Sequence, residues 1–99
     1  LKKIKTNEEL KDLIKEGTWL VDFSAKWCGP CRMLEPVIES ISKNYNVIQI
    51  DIDESSDIAA QYAVMSIPTL LVMKNGQEMA KEIGYRNEEE IIKILNSDN

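Results

Sequence analysis

The hydrophobic positions of this 99-residue chain change period several times, and each change marks an element. Leu10, Leu13 and Ile14 recur at helical spacing behind a Thr6 and Glu9 pair that fits a capping box, and Gly17 follows as a stop signal. That predicts a first helix. The run "TWLVDFSA" is apolar at nearly every position and of strand length, as expected for a strand covered on both faces. Pro30 suits the first turn of a helix, and Met33, Leu34, Val37, Ile38 and Ile41 fall on one face after it. Pro36 lies inside that stretch and removes a backbone donor, which predicts a kink.

"NVIQIDID" alternates Ile48, Ile50 and Ile52 with polar neighbours and predicts a strand. "SSDIAAQYAV" reads as a short helix capped by Ser55 or Ser56. "TLLVMK", Asn75-Gly76 and "QEMAKEI" predict a hairpin, because Asn-Gly suits the primed turns of two-residue loops. A second capping box, Asn87 with Glu90, precedes Ile91, Ile92, Ile94 and Leu95 and opens a last helix, whose first-turn run Glu88 to Glu90 complements its dipole. Strands alternating with helices imply an α/β fold whose parallel strands are covered on both faces, with the hairpin as an antiparallel edge. Residues 1–99 are expected to form a single domain, without internal repeat or linker.

Composition narrows the function. A formal charge of −5, from 12 basic and 17 acidic residues mixed along the chain, offers no footprint for a phosphate backbone, so nucleic acid is not an expected partner. No run approaches the roughly 18 apolar residues of a membrane span. The start "LKKIKTNEEL" has no apolar signal core, and a cytoplasmic protein is expected. The chain opens on Leu1 rather than Met, which leaves room for residues ahead of it.

Candidate chemistry centres on the chain's two cysteines, Cys28 and Cys31, in "WCGPC". A zinc site normally wants four nitrogen or sulfur ligands, and the chain has two sulfurs and no histidine, so no metal is expected. A purely structural disulfide would close too short a loop to remove much entropy from the unfolded chain. A redox dithiol fits better. With Pro30 opening the helix, Cys28 lies at an N-terminus, where free N–H groups and the dipole favour a thiolate. Cys31 lies on the same side, more enclosed, and suits the resolving role. Asp22 is a carboxyl within an apolar run, and burial raises such an acid's pKa toward neutrality, where it can exchange a proton with a nearby thiol. Met65, Met73 and Met79 read as core or surface filler rather than a ligand set.

"WCGPC", the "VDF" ahead of it, "IPT" at Ile67 to Thr69, "KNG" before the hairpin turn and Gly84 after it together resemble the thioredoxin family over essentially the whole chain. The resemblance implies the thioredoxin fold, a central mixed five-stranded sheet flanked by four helices. It implies a protein disulfide reductase and electron carrier that needs no bound cofactor beyond its Cys28-Cys31 disulfide. NADPH and flavin would act through a partner, thioredoxin reductase. Position by position, Cys28 resembles the attacking thiol, Cys31 the resolving thiol, and Gly29 and Pro30 the intervening pair, with Pro30 favouring a reducing potential. Asp22 resembles the buried acid that helps deprotonate Cys31, and Pro68 the cis-proline beside the disulfide. Trp27, Gly29, Pro30, Ile67, Pro68, Ile83 and Gly84 would form an apolar surface for disulfide-containing protein substrates, with Ile67 offering its backbone to an extended segment. A monomer suffices for this work.

Three positions depart from the family pattern. Gln49 stands where a lysine is usual beside the buried acid, and a neutral amide supplies no opposite charge, so Asp22 is expected to titrate higher here unless Lys26 substitutes. Ser24 replaces a tryptophan found in many members, which leaves Trp27 as the tryptophan flanking the disulfide. Tyr85 is bulkier than the residue usual after Gly84 and either narrows the groove or adds an aromatic contact. An accessory subunit with incidental redox activity is the alternative function, although such a role needs neither sulfur. An oxidase or isomerase of the same fold would usually carry a different dipeptide between its cysteines.

Overall fold

The computed structural model describes residues 1–97, so positions 98 and 99 of the expected domain lie outside the described residues. In chain order the elements are β1 (Lys2–Lys3), α1 (Asn7–Ile14), β2 (Thr18–Ser24), α2 (Gly29–Ile41), β3 (Asn46–Asp51), α3 (Ser56–Gln61), β4 (Thr69–Lys74), β5 (Gln77–Ile83) and α4 (Glu88–Leu95). One mixed sheet has the order β1-β3-β2-β4-β5, parallel from β1 through β3 to β2 and antiparallel from β2 through β4 to β5. This is the α/β architecture with five strands and four helices that the resemblance implied.

The period of two along the strands divides the apolar residues between two faces. Trp19, Val21 and Phe23 of β2 join Ile48, Ile50, Leu71 and Met73 in a cluster closed by Leu10 and Ile14 of α1 and Ile58 of α3. Leu20, Val47, Leu70 and Val72 point the other way and pack against Leu34, Ile38 and Ile41 of α2 and Ile91 and Leu95 of α4. The alternation also assigns Asp22 and Gln49. Both fall on the α2 side of the sheet, and the β2–β3 register sets them opposite each other.

Both capping boxes form, at Thr6 with Glu9 and at Asn87 with Glu90. The hairpin turn places Asn75 at φ 50° and Gly76 at φ 85°, the doubly positive geometry of a type I′ turn. Asn75 also ties the turn to the α1–β2 loop: its Oδ1 accepts from the Gly17 N–H at 2.8 Å and its own N–H donates to the Gly17 carbonyl at 2.9 Å. α2 runs through Pro36 without a break.

Two local expectations need correction. Ser55 precedes α3, but its hydroxyl caps nothing; it donates to the Lys5 carbonyl at 2.8 Å and so fastens the N-terminal segment. α3 stops at Gln61, short of the "YAV" included in the expected helix, because Ala63 takes φ 55°, which ends the right-handed run. The Lys81 ammonium closes that end by donating to the carbonyls of Tyr62 at 2.9 Å and Ala63 at 3.4 Å.

Candidate active site

Cys28 is the N-cap of α2, held by its N–H donating to the Ala25 carbonyl at 3.2 Å. Gly29 and Pro30 open the helix, and Cys31 follows within the first turn. The two cysteines are disulfide-bonded, with Cα atoms 5.2 Å apart. Helix geometry explains the pairing, since a cap residue with extended backbone directs its side chain back over the first turn. The Cys31 N–H donates to the Cys28 Sγ at 3.2 Å, the donor that would stabilise a thiolate there after reduction. Both sulfurs are largely buried, and Cys31 is the more enclosed, as expected.

Three other segments converge on this turn. The Ile67-Pro68 peptide bond is cis, and the Ile67 carbonyl oxygen lies 3.9 Å from the Cys28 Sγ. Gly84, at φ +94°, donates its N–H to the Pro68 carbonyl at 2.8 Å, and Ile83 pairs with Thr69 across β4 and β5. Ile83 and Tyr85 are exposed beside that junction, and a Cβ built at Gly29 would meet no atom within 4 Å. Trp27 is 69% exposed, yet its indole N–H is fixed by donation to the Asp53 carboxylate at 2.8 Å. The structure thus brings Cys28, Cys31, Ile67, Pro68, Ile83 and Gly84 to one end of the sheet, with Trp27, Gly29 and Pro30 around the disulfide.

Asp22 is 1% exposed, on β2 beneath α2, and no hydrogen bond joins it to either cysteine. Its Oδ2 accepts from the Gln49 Nε2 at 3.1 Å, while Oδ1 is buried with no partner among the described residues. Burial pushes its pKa up to about 6; the Gln49 hydrogen bond pulls the other way, and the negative charge of Glu35 adds to the rise. Lys26 is exposed rather than turned in as a substitute for the usual lysine. A Gln49→Lys variant should bring Asp22 down toward the ordinary carboxylate range, read by carboxyl NMR titration; an unmoved midpoint would mean that a charge at position 49 does not offset the burial.

Two residues were missed in the sequence. Asp53 follows the end of β3, and the parallel register of Ser24 with Asp51 brings that end beside the loop carrying Trp27. Strand ends on one edge of a parallel sheet are a general signal for such a contact. Glu35 sits one helical turn after Cys31, a spacing that puts both on neighbouring positions of α2.

The tryptophans separate cleanly. Trp19 is 9% exposed on the far face of the sheet, with its indole N–H donated to the Glu16 carbonyl at 3.0 Å. Trp27→Phe should therefore abolish most of the fluorescence change on reduction. A change that survives in this variant would assign the signal to Trp19.

A buried cysteine pair at a helix N-terminus, reversible in principle between dithiol and disulfide and reached from an exposed apolar rim, defines a thiol–disulfide oxidoreductase. A family model for thioredoxin matches residues 2–97. A thioredoxin of Staphylococcus aureus is 40% identical over 94 residues, covering 91% of this chain and 90% of the relative. Among solved structures, a mutant thioredoxin from Halobacterium salinarum superposes with a TM-score of 0.90 at 33% identity, covering 95% of this chain and 86% of that one. Fasciola hepatica thioredoxin gives 0.89 at 32%, covering 96% of each chain. The chain belongs to the thioredoxin family.

Proposed function

We propose that this chain, acting as one domain and as a monomer, reduces disulfides in other proteins and is recharged by a flavoprotein thioredoxin reductase that draws on NADPH. The observation that carries the reading is the Cys28 sulfur at the N-cap of α2, receiving the Cys31 N–H at 3.2 Å and lying beside the Ile67 carbonyl. Cys28 as thiolate attacks one sulfur of the substrate disulfide, forming a Cys28–substrate bond and releasing the other substrate sulfur as a thiolate. Cys31 then gives its proton to the Asp22 carboxylate and attacks the Cys28 Sγ. The Cys28–Cys31 bond forms, the Cys28–substrate bond breaks, and its electron pair leaves with the substrate sulfur, which takes a proton from solvent. Two electrons pass from the dithiol to the substrate.

Trp27, Gly29, Pro30, Ile67, Pro68, Ile83 and Gly84 form the docking rim in this reading. They are mostly apolar and offer few charged demands, which suits varied, partly unfolded substrates. Tyr85, 42% exposed beside Gly84, adds an aromatic contact. A carrier that must stay reduced works where thiols are kept reduced, so we place it in the cytoplasm, as part of cellular electron transport to protein disulfides. No helix among the described residues is long and apolar enough to cross a membrane.

NADPH oxidation coupled through a purified bacterial thioredoxin reductase to a disulfide-bonded protein substrate tests the proposal. Turnover that depends on both the reductase and this chain supports it. Substrate reduction by this chain in dithiothreitol but not through the reductase would overturn the reductase coupling and leave the disulfide chemistry in place.

A further inference from the structure

A cavity of about 370 Å³ opens where β1, β3 and the start of α2 meet, walled in part by Ser24, Gln49 and Glu35. Gln49 connects it to the buried acid, since its amide holds Asp22 Oδ2 at 3.1 Å while Oδ1 has no partner among the described residues. The charges around the cavity come from every element that borders it: Lys3 of β1, Lys5 of the β1–α1 loop, Lys26 of the β2–α2 loop, Arg32 and Glu35 of α2, Asp51 of β3 and Glu54 beyond it. Lys5 is paired with Glu54 at 3.2 Å, and an Asp51 carboxylate oxygen accepts from the Asp53 N–H at 2.8 Å. Glu35 enters no ion pair among the described residues.

We propose that Glu35 is a positioning residue for the resolving step: from the wall of the cavity it shares with Gln49, its carboxylate acts through the Gln49 amide on Asp22 and tunes the transfer of the Cys31 proton to that acid. Three observations meet in it. Glu35 lies on α2 one turn after the thiol whose proton is moved. Gln49 brings no charge to offset it, and the unpartnered Oδ1 leaves Asp22 sensitive to any charge nearby. The field of Glu35 also acts on Asp22 in the direction required, after burial and against the Gln49 hydrogen bond.

The inference rests on Asp22 being the base of the resolving step, and the experiment separates the two. Reduced protein mixed with a symmetrical aryl disulfide releases one coloured thiolate when Cys28 attacks and a second when Cys31 resolves. The pH profile of the second release is compared with the Asp22 carboxyl titration, followed by NMR in the reduced protein, for wild type, Glu35→Gln, Glu35→Lys and Glu35→Asp. Glu35 is exposed, so these variants are expected to fold. Glu35→Gln should move both midpoints to lower pH and raise the second-release rate at pH 5 about 2- to 5-fold, with a larger move for Glu35→Lys. Glu35→Asp should return both toward wild type, and added salt should shrink the differences. An Asp22 midpoint that stays put in Glu35→Gln and Glu35→Lys overturns the inference alone. An Asp22 midpoint that moves while the release profile does not overturns the role of Asp22 and the inference with it.

Discussion

Cys28→Ser should lower reduction of a protein disulfide by at least about 10³-fold, to the uncatalysed background, because a hydroxyl neither ionises near neutral pH nor forms the mixed disulfide. Cys31→Ser should fail differently. Cys28 still sits at the N-cap of α2 with the residue-31 N–H aimed at its sulfur, so attack continues and the cycle stalls at the mixed disulfide. Mass spectrometry should then find substrate joined to Cys28. The accessory-subunit alternative predicts otherwise: a double serine variant would keep its partner and its role. Covalent trapping by Cys31→Ser together with loss of turnover in Cys28→Ser excludes that alternative. Equal retention of function in both variants would exclude the carrier.

Asp22→Asn should stabilise the oxidised protein at pH 7 by about 3 kcal/mol while slowing the resolving step by about 10²-fold. The stability effect follows from the raised proton affinity of a carboxyl whose pKa goes from 3.8 to about 6 on folding. Between those values the folded state keeps a proton that the unfolded state has released, so stability falls as pH rises through the window, at roughly 1.4 kcal/mol per pH unit at most. Below about pH 4 the group costs nothing; above about pH 6 the full cost of holding a buried carboxylate is present. The Asn side chain never ionises, so that descent disappears. Urea unfolding of both proteins at pH 4, 5, 6 and 7 checks it: the curves should nearly coincide at pH 4 and diverge by pH 7. A variant less stable than wild type at pH 7 would mean that the carboxylate is better solvated than its burial implies.

The strong local patterns carried most of the architecture. Both capping boxes, the Asn75-Gly76 turn and the recurrence of Ile48 and Ile50 along β3 are short-range signals that the tertiary structure does not override. β1 is the opposite case. It is two exposed lysines with no apolar pattern, and only its pairing with Ile48 and Gln49 makes it a strand, so the fifth strand came from family resemblance rather than from periodicity. Ser55 misled because a serine before a helix is a good cap by composition, whereas its partner, the Lys5 carbonyl, is 50 residues away.

The candidate site divides in the same way. The cysteine pair and Pro30 are local and legible at once. The meeting of Gly84 with Pro68 needed the antiparallel β4–β5 pairing, and that of Trp27 with Asp53 needed the parallel register of β2 with β3. Glu35 was invisible for a further reason. An exposed glutamate on a helix is ordinary by composition, and it matters only because the cavity it lines is shared with the glutamine that holds a buried acid.

Cys28 and Cys31 should work as a reductant, and the equilibrium of their dithiol and disulfide forms in defined thiol buffers, followed by Trp27 emission, measures that poise. On the established scale, reference thioredoxin lies at about −270 mV and oxidant or isomerase relatives at roughly −120 to −180 mV. Those ranges differ by about 10³-fold or more in the equilibrium constant, well beyond measurement error. A value near −270 mV is predicted. A value between −120 and −180 mV would instead make the protein a source of disulfides rather than their reductant.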